Sequence, residues 1–264
     1  MILSQAIPGK KYFRIISLVP SLTELLSYLD LEKEVIGITK FCVHPYEWFQ
    51  NKTRVGGTKN INFKTIQQLS PDLIIANKEE NVKEQIEKLA EKYDVWITDV
   101  NNLSDSIKMI YDIGKLIERT ESATALALQI DEGFKKLQMD FLKPHRFSKP
   151  VRFSNAAYFI WKDPYMVAGG DTFINDMMHY CGLKNVFENQ KRYPQITLDE
   201  LQEKNTEVIL LSSEPYPFKE KHKEQIQKQM EKTKIELVDG EMFSWYGSRM
   251  LKSINYFHKF QQNV

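Results

Sequence analysis

Short apolar runs alternate along this chain with longer stretches whose apolar residues recur at three-and-four spacing, the patterns of buried strands and amphipathic helices. Residues 13 to 18 are the first apolar run. Pro20 follows, then Ser21-Leu22-Thr23-Glu24, whose S-x-x-E spacing predicts a capping box and a helix through Leu29. A second strand over 35–39 leads into a loop rich in rings, with Phe41, His44, Tyr46, Trp48 and Phe49, and then into Gly56-Gly57. Next come a short helix near 64–69, a buried strand over 73–76, a helix near 81–92, a strand over 95–98 and a helix near 103–118. Strands alternating with helices predict an α/β fold with mainly parallel sheets.

The chain also repeats itself. INFKTIQQLSPDLIIANKEE (61–80) lies over ITLDELQEKNTEVILLSSEP (196–215) without a gap, a constant offset of 135 that sets Ile66 on Leu201 and Asp72 on Glu207. KEQIEK (83–88) lies over KEQIQK (223–228) at an offset of 140, which also sets VWITD on IELVD. Any two βα units share apolar strands and charged helices, which accounts for one such block. Two successive blocks in the same order favour two related lobes.

Between the copies, residues 120–143 carry Ala123, Leu126, Ile130, Phe134, Leu137 and Phe141 on one helical face. A helix of that length would span roughly 36 Å. Pro144 and Pro150 end it. The expected organisation is an N-terminal α/β lobe over 1–119, a backbone helix over 120–143 and a C-terminal α/β lobe over 144–264.

Composition narrows the function. The 264 residues hold 36 Lys+Arg against 35 Asp+Glu, a net charge of +1 that provides no drive toward nucleic acid or an anionic membrane. Cys42 and Cys181 lack any disulfide or zinc spacing and read as small buried residues. No secretory signal or membrane-spanning run stands in the sequence, which as written reads as a soluble cytoplasmic monomer.

In parallel α/β sheets ligands bind beyond the carboxyl ends of the strands. The segments expected there carry Phe41, Trp48, Tyr193, Phe243, Trp245 and Tyr246, and YFIWKDPY (158–165) places Trp161 and Tyr165 at a strand or hairpin end. Rings on several such loops suit a large, flat, partly apolar ligand. Nucleotide-loop, nucleophile-elbow and zinc-protease motifs are absent, so no catalytic residue is assigned. Among the histidines, His222 and His258 sit in polar helices and read as solvated, while His179 reads as structural. His145 has no assigned role, and His44 is kept as a ligand contact or axial metal ligand. Gly169-Gly170-Asp171-Thr172 reads as a turn and helix cap.

RIISLVPSLTELL (14–26), VIGIT (35–39), VGGTKNINFKTIQQLSPDLIIA (55–76), AGGDTFINDMMHYCGLKNVF (168–187) and RYPQITLDEL (192–201) occur here in one order. Together they resemble the helical-backbone substrate-binding proteins of ABC importers, first the vitamin B12-binding branch and then the iron-siderophore and haem binders. The resemblance implies two Rossmann-like lobes joined by one long helix, a ligand cleft between them and no enzymatic activity. The ligand would be a cobalt corrinoid or a ferric chelate, with no covalent cofactor, and the partner an ABC permease. Such proteins are normally periplasmic or membrane-anchored outside the cytoplasm.

Carried over by position, the resemblance assigns ligand contacts to Phe41, Tyr193 and Glu241. Thr58 and Asn77 stand where that branch has tryptophans and are expected to hydrogen-bond the ligand, while Trp161, Tyr165 and Trp245 offer other rings. Asp199, with Glu200 beside it, matches a permease-docking acid, but Lys64 stands at the matching place in the first lobe and would repel a permease arginine. Glu79, Glu80 and Glu214 are the substitute docking acids. Two other classes stay open: a two-lobed cleft enzyme, which requires a nucleotide site, and a cytoplasmic interaction protein with a degenerate cleft.

Overall fold

A computed structural model describes residues 1–143 and 152–262; Pro144, His145 and Pro150 lie outside the described residues. The chain divides into two units by its internal contacts. The first comprises Met1–Val100, Ser104–Ile130 and Trp245–Met250; the second holds the described residues of Asn101–Leu103, Asp131–Ser244 and Leu251–Val264.

The first unit contains strands β1 (Ile2–Leu3), β2 (Ile15–Ser17), β3 (Val35–Ile38), β4 (Thr53–Arg54), β5 (Leu73–Asn77) and β6 (Asp94–Thr98). They pair in the order β1-β6-β5-β2-β3-β4, every pair parallel. Helices α1 (Pro20–Tyr28), α2 (Tyr46–Asn51), α3 (Phe63–Leu69) and α4 (Lys83–Ala90) connect them. Every residue of β5 is buried, as expected for a strand covered on both faces. Ile16, Ile66, Ile74, Ile86 and Val95 lie in the core cluster it shares with those helices.

The second unit is built on β7 (Ser154–Trp161), β8 (Met166–Val167), β9 (Leu183–Asn185), β10 (Val208–Ser212) and β11 (Lys234–Val238). Its order is β11-β10-β7-β8, with β9 also on β7, and only β7–β8 is antiparallel. Helices α7 (Phe173–Tyr180), α8 (Leu198–Glu203), α9 (Glu220–Gln227), α10 (Gly240–Ser244) and α11 (Met250–Gln261) complete it, the last preceded by a 3₁₀ turn, Gly247–Arg249. Helices α5 (Leu103–Leu116) and α6 (Thr120–Leu142) lie between the two copies in sequence, and the division of units falls within α6 at Ile130. Ala123, Leu126, Ile130, Phe134 and Leu137, the expected apolar face of α6, are all buried.

The sequence repeat is a repeat of register. Offset 135 carries β5 onto β10 and offset 140 carries β6 onto β11, residue for residue. Leu73 pairs with Asp94 and Asn77 with Thr98 in the first unit; Val208 pairs with Lys234 and Ser212 with Val238 in the second. The flanking polar contacts repeat too. Asp72 accepts the Phe13 and Arg14 amides at 2.8 and 3.0 Å, and its counterpart Glu207 accepts the Asn155 amide at 2.9 Å and pairs with Arg152. Asn62 caps α3 through the Thr65 amide, and its counterpart Thr197 caps α8 through the Glu200 amide. Each acid secures the start of the neighbouring strand, and each cap fixes where the helix before it begins.

Two local expectations are corrected. Ser21 does not cap α1: the helix begins at Pro20 with Val19 as N-cap and no side-chain cap. Proline at the first position, with φ already set and no amide to satisfy, starts the helix two residues earlier. Thr23 donates to the Val19 carbonyl, and Glu24 is drawn to Arg249 instead of back to the cap. The aromatic loop contains a helix, α2, with Trp48 buried beneath it. Helix α9 starts at Glu220, three residues before the place that offset 140 gives for the start of α4, and the His222 ring accepts the Lys219 amide at 3.0 Å in its first turn.

Gly170 follows from packing. A Cβ there would lie 1.8 Å from the Glu188 carbonyl oxygen. Thr172 then caps α7 by accepting the Asn175 amide, as the sequence suggests.

Candidate functional site

The carboxyl ends of the first unit's central strands are finished by polar side chains. Asn77 closes β5: its Oδ1 accepts the Glu79 and Glu80 amides and its Nδ2 donates to Thr98, so the side chain is occupied by the turn it makes. At 3% exposure it is a structural residue, which corrects its assignment to ligand. Thr58 is also buried, and its carbonyl accepts from Asn81.

The loop after β3 is different. Phe41 is 50% and Tyr46 65% exposed, with Val43 between them, and the Lys40 ammonium lies 5.0 Å from the Phe41 ring centre. Cys42, fully buried, fastens the loop to α1 by a 3.1 Å contact with the Thr23 hydroxyl. His44 meets Trp245 edge-on at 5.7 Å. Trp245 is itself buried, so it backs the loop.

In the second unit Trp161 ends β7 and is 41% exposed. Tyr216 packs against it at 5.6 Å, with Phe218 and His222 behind. Tyr165 is half-buried against Phe159, and burial pushes its phenol above the ordinary value, which disfavours the phenolate that would bind a metal. Tyr193 and Glu241 are half-buried, and the Glu241 amide is held by Asp239. Phe243 is fully buried among Tyr158, Tyr256 and Phe257, a core residue and not a ligand contact. From α10 its ring meets Tyr158 of β7 and Phe257 of α11, a direction the sequence alone does not reveal.

Two further rings stand near these loops, exposed Tyr46 and half-buried Tyr216. Tyr46 stands in the ring-rich loop and Tyr216 follows the segment that the repeat sets opposite Asn77, so position was the available signal. Among the docking candidates, Asp199, Glu79 and Lys64 are exposed, Glu200 is used in its capping box and Glu214 accepts from Ser244 at 2.7 Å.

His222 departs from the solvated reading: it is 5% exposed. Burial, reinforced by Lys221, Lys162 and Lys219 against Asp163, holds the imidazole below its ordinary 6.5. Folded His222 therefore stays neutral while the unfolded chain takes up a proton, so its contribution is present above about pH 6.5 and lost as pH falls. The thermal midpoint should drop between about pH 7.5 and pH 5.5, and drop less in His222→Asn, whose amide still accepts the Lys219 amide; circular-dichroism melts at the two pH values check this.

Among the described residues there is no group of three or more His, Cys, Asp or Glu that could hold a metal ion, and no helix long and apolar enough to cross a membrane. Both cysteines are free and buried.

The sequence profile of periplasmic binding proteins matches residues 15–236. An ABC transporter substrate-binding lipoprotein of Bacillus subtilis (strain 168) is 27% identical over 202 residues, covering 75% of this chain but 62% of that protein, less than two thirds of its length. The vitamin B12-binding protein of Vibrio cholerae serotype O1 is 24% identical over 204 residues, covering 75% of this chain and 70% of its own. A periplasmic haem-binding protein from Pseudomonas aeruginosa superposes with a TM-score of 0.81 at 16% identity, over 96% of this chain and 94% of its own, a likeness of fold alone. With the profile spanning both α/β units, the chain belongs to the periplasmic binding protein family.

Proposed function

We propose that this protein binds a corrinoid or related flat metal chelate and delivers it to an ABC importer outside the cytoplasm, without catalysing a reaction. The observation that carries the reading is the exposure of aromatic rings at the carboxyl ends of strands in each unit, Phe41 and Tyr46 in the first and Trp161 in the second. Large apolar surfaces are normally buried, and rings left open on loops suit stacking on a flat partner. His44, Tyr193, Tyr165 and Glu241 are the polar complement. The two lobes are proposed to run over 1–119 and 144–264 around the helix at 120–143.

An iron-siderophore or haem ligand is the second reading. His44, beside the Phe41 platform, supports it, because an imidazole nitrogen is a ready axial ligand. For docking, the exposed acids Asp199 in one unit and Glu79 and Glu80 in the other are the candidates. Lys64, at the repeat position of Asp199, presents the opposite charge.

Calorimetric titration with cobalamin, cobinamide, haemin and a ferric-siderophore panel is the test. At least one should bind with micromolar affinity or better, and Phe41→Ala and Trp161→Ala should each weaken it by up to about tenfold. Silence across the panel sinks the reading.

A further inference from the structure

The sequence passes from α10 into Trp245–Met250 and on into α11, yet those six residues pack as part of the first unit. Their seating on α1 is specific. Arg249, 4% exposed, donates from Nε to Glu24 at 2.7 Å, and its guanidinium lies 4.8 Å from the Trp245 ring centre. The Gly247 amide donates to the Ser106 hydroxyl at 3.2 Å, and Gly247 takes φ +86° with Leu25 of α1 against it. Tyr246 is buried, and burial raises its phenol against the opposing pull of Ser21 and Thr98.

The outer end of this segment touches the exposed aromatic loop. Trp245 meets His44 edge-on, and His44 lies between exposed Val43 and exposed Tyr46. The loop is therefore fastened to consecutive residues of α1 by two routes: Cys42 to Thr23 directly, and His44 through Trp245 and Arg249 to Glu24. Planar guanidinium stacking fixes the indole plane in a way a lysine ammonium does not.

We propose that Trp245 and Arg249, anchored by Glu24, are positioning residues that set the orientation of His44 and of the loop from Phe41 to Tyr46. Neither needs to touch ligand. The functional half of the proposal rests on the reading above, in which that loop meets the ligand.

The test uses the full chain with Arg249→Lys, which keeps the charge opposite Glu24 and removes the planar guanidinium from over the Trp245 ring, and Trp245→Phe, which keeps a smaller ring. Each is titrated with haemin and with dicyanocobinamide, alone and combined with His44→Ala. Both variants should weaken the probe that binds by about three- to tenfold when His44 is present and by less than twofold when it is absent, because coupled residues are not additive. Equal losses in both backgrounds, or no loss, overturn the proposal.

The His44 ring C–H resonance, assigned by its disappearance in His44→Ala, is recorded in the same proteins without ligand. It should move in Arg249→Lys and Trp245→Phe and stay in place in Lys108→Ala. If neither probe binds the wild type, the ligand reading is decided by the rest of the panel, and this resonance still decides the positioning. An unmoved resonance in both variants overturns it.

Discussion

Phe243→Ala should cost about 3–5 kcal/mol of folding stability, the range for truncating a fully buried phenylalanine. The ring is 0% exposed and lies 4.9 Å from Phe257 and 5.1 Å from Tyr158, centre to centre, with Tyr256 at 6.2 Å and Phe260 at 6.4 Å. Removing it leaves a void bounded by α10, α11 and β7, and the tilted and edge-on rings around it cannot collapse into it without breaking their own contacts. Trp161→Ala provides the contrast: a larger ring, but 41% exposed at the end of β7, so its loss should cost less than about 1.5 kcal/mol. Urea denaturation of the two variants separates a core ring from a platform ring. A Phe243→Ala protein of wild-type stability that had lost ligand affinity would return Phe243 to the ligand site.

That contrast marks how far the sequence could be read. Strand positions were legible because β5 and β10 are unbroken apolar runs flanked by the same punctuation, and the repeat even carried their register. The repeat worked because an acid before the strand and a cap before the helix recur as physical devices, Asp72 and Glu207, Asn62 and Thr197. What a ring does at a strand end was not legible. Phe41, Phe243 and Trp245 occupy similar places in the linear pattern, yet one is half exposed, one lies in the core and one backs a loop. Their difference depends on which element lies over each, and α11 and the segment after α10 are far from the β3 loop in sequence. Asn77 shows the same limit at a polar position. Its amide is consumed by a turn whose geometry appears only once β5 and β6 are paired.

Glu24→Ala is the second substitution with a large expected effect, about 3–5 kcal/mol, because it removes the carboxylate 2.7 Å from a buried guanidinium. The pair is 4% and 14% exposed, so little water can replace the lost partner. Lys108–Asp112 on α5 is as short, at 2.6 Å, but 78% and 29% exposed, and breaking it with Lys108→Ala should cost only a few tenths of a kcal/mol. Distance therefore does not rank these pairs; desolvation does. A double replacement, Glu24→Leu with Arg249→Met, should recover much of the loss, since an apolar pair of similar volume carries no desolvation cost. It should not recover the orientation of His44, because a thioether side chain offers Trp245 no planar cation. Denaturation midpoints of the single and double variants, read beside the His44 resonance, separate stability from positioning: a Glu24→Ala protein no less stable than Lys108→Ala would show that the segment from Trp245 to Met250 is not anchored through this pair.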